Sequence, residues 1–242
     1  MIDLNGTTRK RDALVELIDR ALQAKRSRQP GRNYLGASLL GEECGRKLQY
    51  SYFHAPVDEG KELQGRILRI FDRGHDGEAR MIEYLRLAGF DLRTTDTRGR
   101  QFEFSLLDGK VKGHSDGVLV AGPTLMTYPA LWENKKLGAK YWKQLSEQRL
   151  KKYSSVYYGQ VQIMQAYFHL DENPALFTAL NADTEEIYAE FIPFDAEAAQ
   201  RVSDQAVTVI RACEAGEQLP RISEDPSFYK CKWCDWNRRC FS

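Results

Sequence analysis

Hydrophobic positions along the chain repeat with two different periods. Residues 9–24 place Leu14, Leu17, Ile18, Ala21 and Leu22 three and four apart, the spacing of one helix face. A basic, polar stretch, KRSRQPGRN, follows. Ser38 is positioned to cap a short helix through LLGEECGRKLQYSYF. Residues 62–88 read as a longer helix that stops at Gly89. The period then falls to two. QFEFSLL runs into Asp108-Gly109, a hairpin turn signal, and on into KVKGHSDGVLV, with YPALWENKK as a third strand. Two helices are predicted over 139–150 and 154–170. ALFTALN and EIYAEFIPF then form a hairpin across ADTE. A last helix, 195–214, carries Val202, Ala206, Val209, Ile210 and Cys213 on one stripe. This order predicts a single α/β domain over residues 1–242 with cysteine-bearing ends.

Composition changes this picture little. The chain has 242 residues, 42% hydrophobic and 29% charged, which is ordinary for a soluble globular protein with a substantial core. Thirty-five Lys and Arg against 34 Asp and Glu give a net charge of +1. That sum neither supports nor excludes nucleic acid, because a local basic face matters more than the total. No apolar run approaches the roughly 20 residues that span a bilayer. The start, MIDLNGTTRKRDALVEL, lacks the apolar core of a secretory signal, so a cytoplasmic protein is expected, with no membrane partner.

Candidate chemistry gathers at LWENKK. On a strand, Glu133 and Lys135 point to the same side. Asp116, at the end of the preceding strand, falls where it brings a second carboxylate beside Glu133. Two carboxylates and a lysine at strand ends can hold a hard divalent ion such as Mg²⁺ or Mn²⁺, which takes oxygen ligands and keeps several waters. Residues 131–153 add seven Lys or Arg against two Glu. Lys136, Lys140 and Lys143 among them are candidates for holding a phosphate backbone, and Tyr141 and Trp142 interleave with them. A solvated basic face and a core Trp142 are the plainer alternatives.

Five cysteines are an odd number, which fits a disulfide framework poorly. Cys231, Cys234 and Cys240 crowd the C-terminus, and with Cys44 they make four thiolates if the chain ends meet. Four thiolates suit Zn²⁺ or an iron–sulfur cluster, and spacing alone does not separate the two. Such a tie also explains how a chain end that should fray is held. Cys213, on an apolar stripe, reads as a buried small hydrophobe.

Together these motifs resemble the PD-(D/E)xK nuclease superfamily, as Asp116 with Glu133-Asn134-Lys135. RGHDGEARMIEYL resembles the upstream histidine motif of the RecB-like branch, and YYGQVQIMQAYFHL its glutamine-motif helix. The lone early cysteine with three late ones is similar to the iron-staple nucleases of the Cas4 type, phage-encoded exonucleases included. The resemblance implies a restriction-endonuclease-like core, a mixed β-sheet flanked by helices. It implies an N-terminal helical part (1–60) with Cys44, a nuclease core (61–195) and a C-terminal helix with the cysteine cluster (196–242). His75, Asp116, Glu133 and the Asn134 backbone carbonyl are then the Mg²⁺ or Mn²⁺ ligands. Lys135 orients or activates water, Gln160 places Lys135 or the substrate, and Tyr157 lies beside the DNA. Cys44, Cys231, Cys234 and Cys240 hold a [4Fe–4S] cluster in preference to Zn²⁺.

The implied activity is metal-dependent hydrolysis of DNA, as an exonuclease on single-stranded DNA or free ends. Recombination, CRISPR or phage proteins are the implied protein partners, and ring-forming relatives raise a homo-oligomer that no motif here predicts. A non-catalytic DNA-binding adaptor on the same fold is the alternative. His114 and Glu78 stay open between roles beside the site and solvated surface positions.

Overall fold

The computed structural model describes residues 4–242; Met1 to Asp3 lie outside the described residues. The chain opens with α1 (Leu4–Ser27), the short strand β1 (Leu35–Gly36) and a 3-10 turn, Ala37–Leu39. Then come α2 (Gly45–Tyr52), α3 (Gly65–Leu87), β2 (Asp91–Arg93), β3 (Glu103–Leu106), β4 (Val111–His114), β5 (Gly117–Ala121) and β6 (Ala130–Leu137). The second half runs α4 (Ala139–Tyr153), α5 (Ser155–Tyr167), β7 (Ala175–Asn181), β8 (Ile187–Ile192) and α6 (Ala196–Ala215), closing with α7 (Tyr229–Lys232) and α8 (Asn237–Phe241).

The main sheet has the order β2-β5-β6-β7-β8. It is mixed: β6 and β7 run parallel, with Glu133 opposite Phe177, and the other pairs are antiparallel. Two hydrophobic clusters sandwich it. On one face Leu131, Phe177 and Ala179 meet Leu145 of α4, Val161 and Ile163 of α5, and Val209 and Ile210 of α6. On the other, Trp132, Leu176 and Leu180 meet Met81 and Leu85 of α3. A parallel pair covered on both faces explains why β6 begins as a continuous apolar run. At about 25 cal/mol per Å² of apolar surface, these clusters are the main stabilising term.

Two expectations are corrected. The run 110–120 is two strands in two different sheets. β4 pairs with β3 and β1 in a small sheet, while β5 joins the main one. The Ser115 hydroxyl donates to the Gly117 carbonyl and accepts the Gly117 N–H at 3.0 Å, a local turn that ends the first strand. Ser38 lies inside the 3-10 turn, and the helix after it starts only at Gly45, with Cys44 as its N-terminal cap residue. The helix predicted over residues 9–24 forms as α1, and its apolar stripe is uncovered, with Leu14, Leu17 and Ile18 exposed. The predicted break between two helices falls at the extended Ser154, between α4 and α5, and α4 carries a further kink near its end. Arg149 adopts φ 64°, and Glu190 accepts from Arg149 Nε at 3.0 Å and from the Leu150 N–H at 2.9 Å.

Candidate active site

The site is built where β5 leaves β6. Their pairing ends at Gly117 opposite Trp132, so from Glu133 onward that edge of β6 has no strand beside it. Asp116 fills the gap, and its Oδ2 accepts the Asn134 N–H at 2.8 Å. An extended residue presents its N–H and its carbonyl to the same edge, so the Asn134 carbonyl lies toward Asp116. The Asn134 side chain faces α3, where its Oδ1 accepts from Thr178 Oγ1 at 2.9 Å.

Alternation sends Glu133 to the opposite face, under α5. Its carboxylate is buried, 1% exposed. Oε1 accepts from Gln160 Nε2 at 2.7 Å and pairs with Lys135 Nζ. Oε2 is buried without a partner, and so is Gln160 Oε1. Burial first, then the Asp116 charge, pushes the Glu133 carboxyl up to about 8, against the pull of Lys135. Asp116 is also raised by burial, with Lys135 opposing. Burial alone would depress Lys135, but Glu133 and Asp116 outweigh it and hold the ammonium protonated. Lys135 Nζ lies 5.3 Å from the centre of the Tyr157 ring.

Helix α3 supplies the other wall. His75 is exposed on it, and Glu78 is half-buried one turn on. Burial raises the Glu78 carboxyl, the Asp116 charge raises it further, and His75 and Lys135 oppose. His75, Glu78, Asp116, Glu133 and Lys135 therefore share one electrostatic neighbourhood. Among the described residues no three His, Cys, Asp or Glu side chains are closed around a single point. The donor set nevertheless fits a hard divalent ion: two desolvated carboxyls, a third carboxyl in Glu78, and an unpartnered buried oxygen on Glu133.

The other predicted residues divide by strand and helix face. Lys140 and Lys143 are exposed on α4. Lys136 is turned away, because alternation points it at α3. Its stem packs on Gly77, where a Cβ would meet Lys136 Cδ at 2.6 Å, and its ammonium pairs with Glu185 at 3.0 Å. That placement removes Lys136 from the phosphate-binding set. Gln162, beside the motif glutamine, holds the start of α6 by accepting the Asp195 N–H at 2.7 Å. Tyr167 bonds Ser203, so Tyr157, one turn before Gln160, is the tyrosine at the site. His114 meets the Tyr34 hydroxyl at 3.3 Å and Glu103 at 3.4 Å, on the small sheet.

The chain ends do meet. Cys44, Cys231, Cys234 and Cys240 line one cavity of about 580 Å³, between α2, the C-terminal corner and the α4–α5 junction. All five cysteines are free thiols, and Cys213 is buried apart from the four, on α6. Burial raises the Cys234 thiol, with the Trp236 N–H and Lys47 opposing, and burial and then the neighbouring cysteines raise Cys231. Arg46 reaches Cys240 Sγ at 3.9 Å. Asp58 ties down the corner by accepting the N–H groups of Arg238 and Arg239 at 2.6 and 3.1 Å.

No protein-family model matches the chain, and no curated protein matches it. Solved structures do. The crystal structure of SSO0001 superposes with a TM-score of 0.51 at 15% identity, over 91% of this chain and 92% of that one. An alkaline exonuclease from Laribacter hongkongensis, LHK-Exo, gives 0.50 at 11% identity, over 77% and 90%. LHK-Exo in complex with dAMP gives 0.51 at 14%, over 76% and 90%. This chain shares the fold of an alkaline exonuclease. The mixed sheet flanked by helices is thus the expected architecture. Among the described residues no helix is long and apolar enough to cross a membrane.

Proposed function

We propose that this protein is a metal-dependent deoxyribonuclease of the PD-(D/E)xK kind. The observation that carries this reading is Glu133: a wholly buried carboxylate beside Asp116, with one oxygen unpartnered and the other held by Lys135 and Gln160. Such a group is costly to bury unless a cation completes it. Asp116, Glu133, His75 and the Asn134 carbonyl would hold Mg²⁺ or Mn²⁺. The ion supplies a water of lowered pKa and neutralises charge on a phosphate. Lys135 keeps its proton, so its role is to donate to the water or the scissile phosphate and orient it. Gln160 fixes the rotamer of Glu133, and Tyr157 flanks Lys135. Lys140 and Lys143 supply positive charge for the backbone.

The fold shared with LHK-Exo supports hydrolysis from DNA ends, and single-stranded DNA is the substrate we assign. The four thiols around one cavity support a [4Fe–4S] cluster as the tie between chain ends. Digestion of end-labelled single- and double-stranded DNA by protein purified without oxygen, with Mn²⁺ or EDTA, tests the reading. Cleavage should need the metal and fall at least about 100-fold in Glu133→Gln. A wild-type protein that binds DNA yet leaves it uncut under every divalent metal overturns the assignment and leaves a DNA-binding adaptor.

A further inference from the structure

Trp233 lies between two of the cavity cysteines, yet its side chain takes no part in the core. It is 73% exposed, whereas Trp236, three residues on, is buried and donates to the Ala55 carbonyl at 2.9 Å. An exposed indole on a corner so well tied down is held in place without being covered. Its neighbours are cations. Lys61 Nζ lies 5.9 Å and Lys232 Nζ 5.7 Å from the ring centre. Neither ammonium is in an ion pair among the described residues, although many other lysines of this protein are. Residues 226–242 carry four Lys or Arg against one Asp.

The platform opens onto a path. Trp233 lines the same cavity as the four cysteines, and Lys47, Lys151, Lys152 and Lys230 line it too. Lys47, Lys151 and Lys230 are engaged by Glu42, Asp195 and Glu43, which leaves Lys152 unpaired among the described residues. The far wall is the α4–α5 junction, including Tyr153. The Tyr153 ring centre is 6.4 Å from that of Tyr157, the ring that lies against Lys135. Aromatic side chains therefore stand on the cavity wall at Trp233 and Tyr153, and the Tyr157 ring lies between Tyr153 and the candidate catalytic lysine.

The geometry points to Trp233 as a stacking platform for an unpaired base, with Lys61 and Lys232 serving the flanking phosphates. From there a single strand runs over the outside of the cavity that the cysteines enclose, past the exposed Lys152 and the half-buried Tyr153, to the metal site. Every base has a π face, so an exposed aromatic ring between unpaired ammoniums is suited to single-stranded nucleic acid of any sequence. The core of a protein interface is depleted in Lys, whereas Lys61 and Lys232 lie 5.9 and 5.7 Å from the Trp233 ring centre. This inference rests on the nuclease reading for its direction of travel, but its test is binding rather than cleavage.

The test uses the full chain, purified without oxygen and held in EDTA. Fluorescence anisotropy follows a labelled oligothymidine and a closed hairpin duplex. Trp233→Ala should weaken oligothymidine binding about tenfold and leave the hairpin unchanged, with Trp233→Phe close to wild type. Lys61→Ala with Lys232→Ala should lower the slope of log affinity against log salt by about 1.4, at roughly 0.7 per single-strand phosphate contact. The lysine pair also carries the test if Trp233→Ala melts early. Equal oligothymidine affinity in wild type, Trp233→Ala and the lysine pair overturns the platform. So does equal weakening for strand and hairpin, or a wild type that binds no oligothymidine. A protein that binds through Trp233 but cleaves nothing refutes the nuclease reading and spares this one.

Discussion

Glu133 concentrates the electrostatics of the site in one side chain. Its carboxyl is raised to about 8 by burial and by Asp116, so between its ordinary range and that value the folded protein holds a proton that the unfolded chain releases. Proton uptake by the folded state means stability from this group is greatest at acid pH and declines as pH rises from about 4.5 to about 8. Metal-free protein unfolded by urea at pH 5.5 and pH 8 should show that decline, and Glu133→Gln should flatten it. Excess Mn²⁺ should restore stability at pH 8, since the ion replaces the proton. Gln160→Leu removes the amide that fixes Glu133, and cleavage should fall about tenfold with melting little changed. Much at this scale was readable in advance, because Asp116, Glu133, Lys135 and Gln160 are bound together by strand alternation and one helix. Lys136 was misassigned because a basic run on a strand splits between two faces, and only the packing of Gly77 shows which face is which.

At the scale of elements, two junctions hold the site's helices in place. Glu190 accepts from Leu150 and Arg149 across the kink of α4 and so compensates for a residue at positive φ. Glu190→Ala leaves a buried N–H unpaired at about 1–3 kcal/mol, and the melting temperature should drop by roughly 4–8 °C, readable by circular dichroism. Gly41 is the second junction. A Cβ there would collide with the backbone of Ser155 and Val156, so α5 docks against a surface only glycine leaves open. Gly41→Ala should cost about 1–3 kcal/mol and shift the melting curve down by a few degrees. Long periodic segments such as α3 and α6 were legible because their stripes are unbroken. β1, β2, α7 and α8 were not, since segments of two to five residues carry too few positions for any period to show. The break at Ser115 escaped for another reason: a hydroxyl bonded to its own backbone outweighs an otherwise uninterrupted strand pattern.

For the whole molecule, the joining of the chain ends matters most. Cys44 and the last three cysteines meet around one cavity, and the segments they clamp are short helices that could not stand alone. Cys231→Ser should abolish visible absorbance near 400 nm, lower the melting temperature and expose the C-terminal corner to protease. Cys213→Ser, away from the cavity, should keep colour and iron. The meeting of the two ends was anticipated from spacing and from the need to hold a terminus. The exposed α1 stripe was not, because periodicity marks an amphipathic face without saying what covers it.

The division of the strands at Asp116 has one more consequence. The hairpin of β3 and β4 joins the main sheet through residues 94–102 on one side and through Ser115-Asp116 on the other, and the shorter link carries the candidate metal ligand itself. Descendants of this protein can therefore lengthen, shorten or replace the hairpin at its Asp108-Gly109 tip without touching the pairing of β5 with β6. An insertion at residues 115–117 has no such freedom, since it shifts the ligand and the ladder together. Variation among related sequences should accordingly be broad at the tip and nearly silent at the joint.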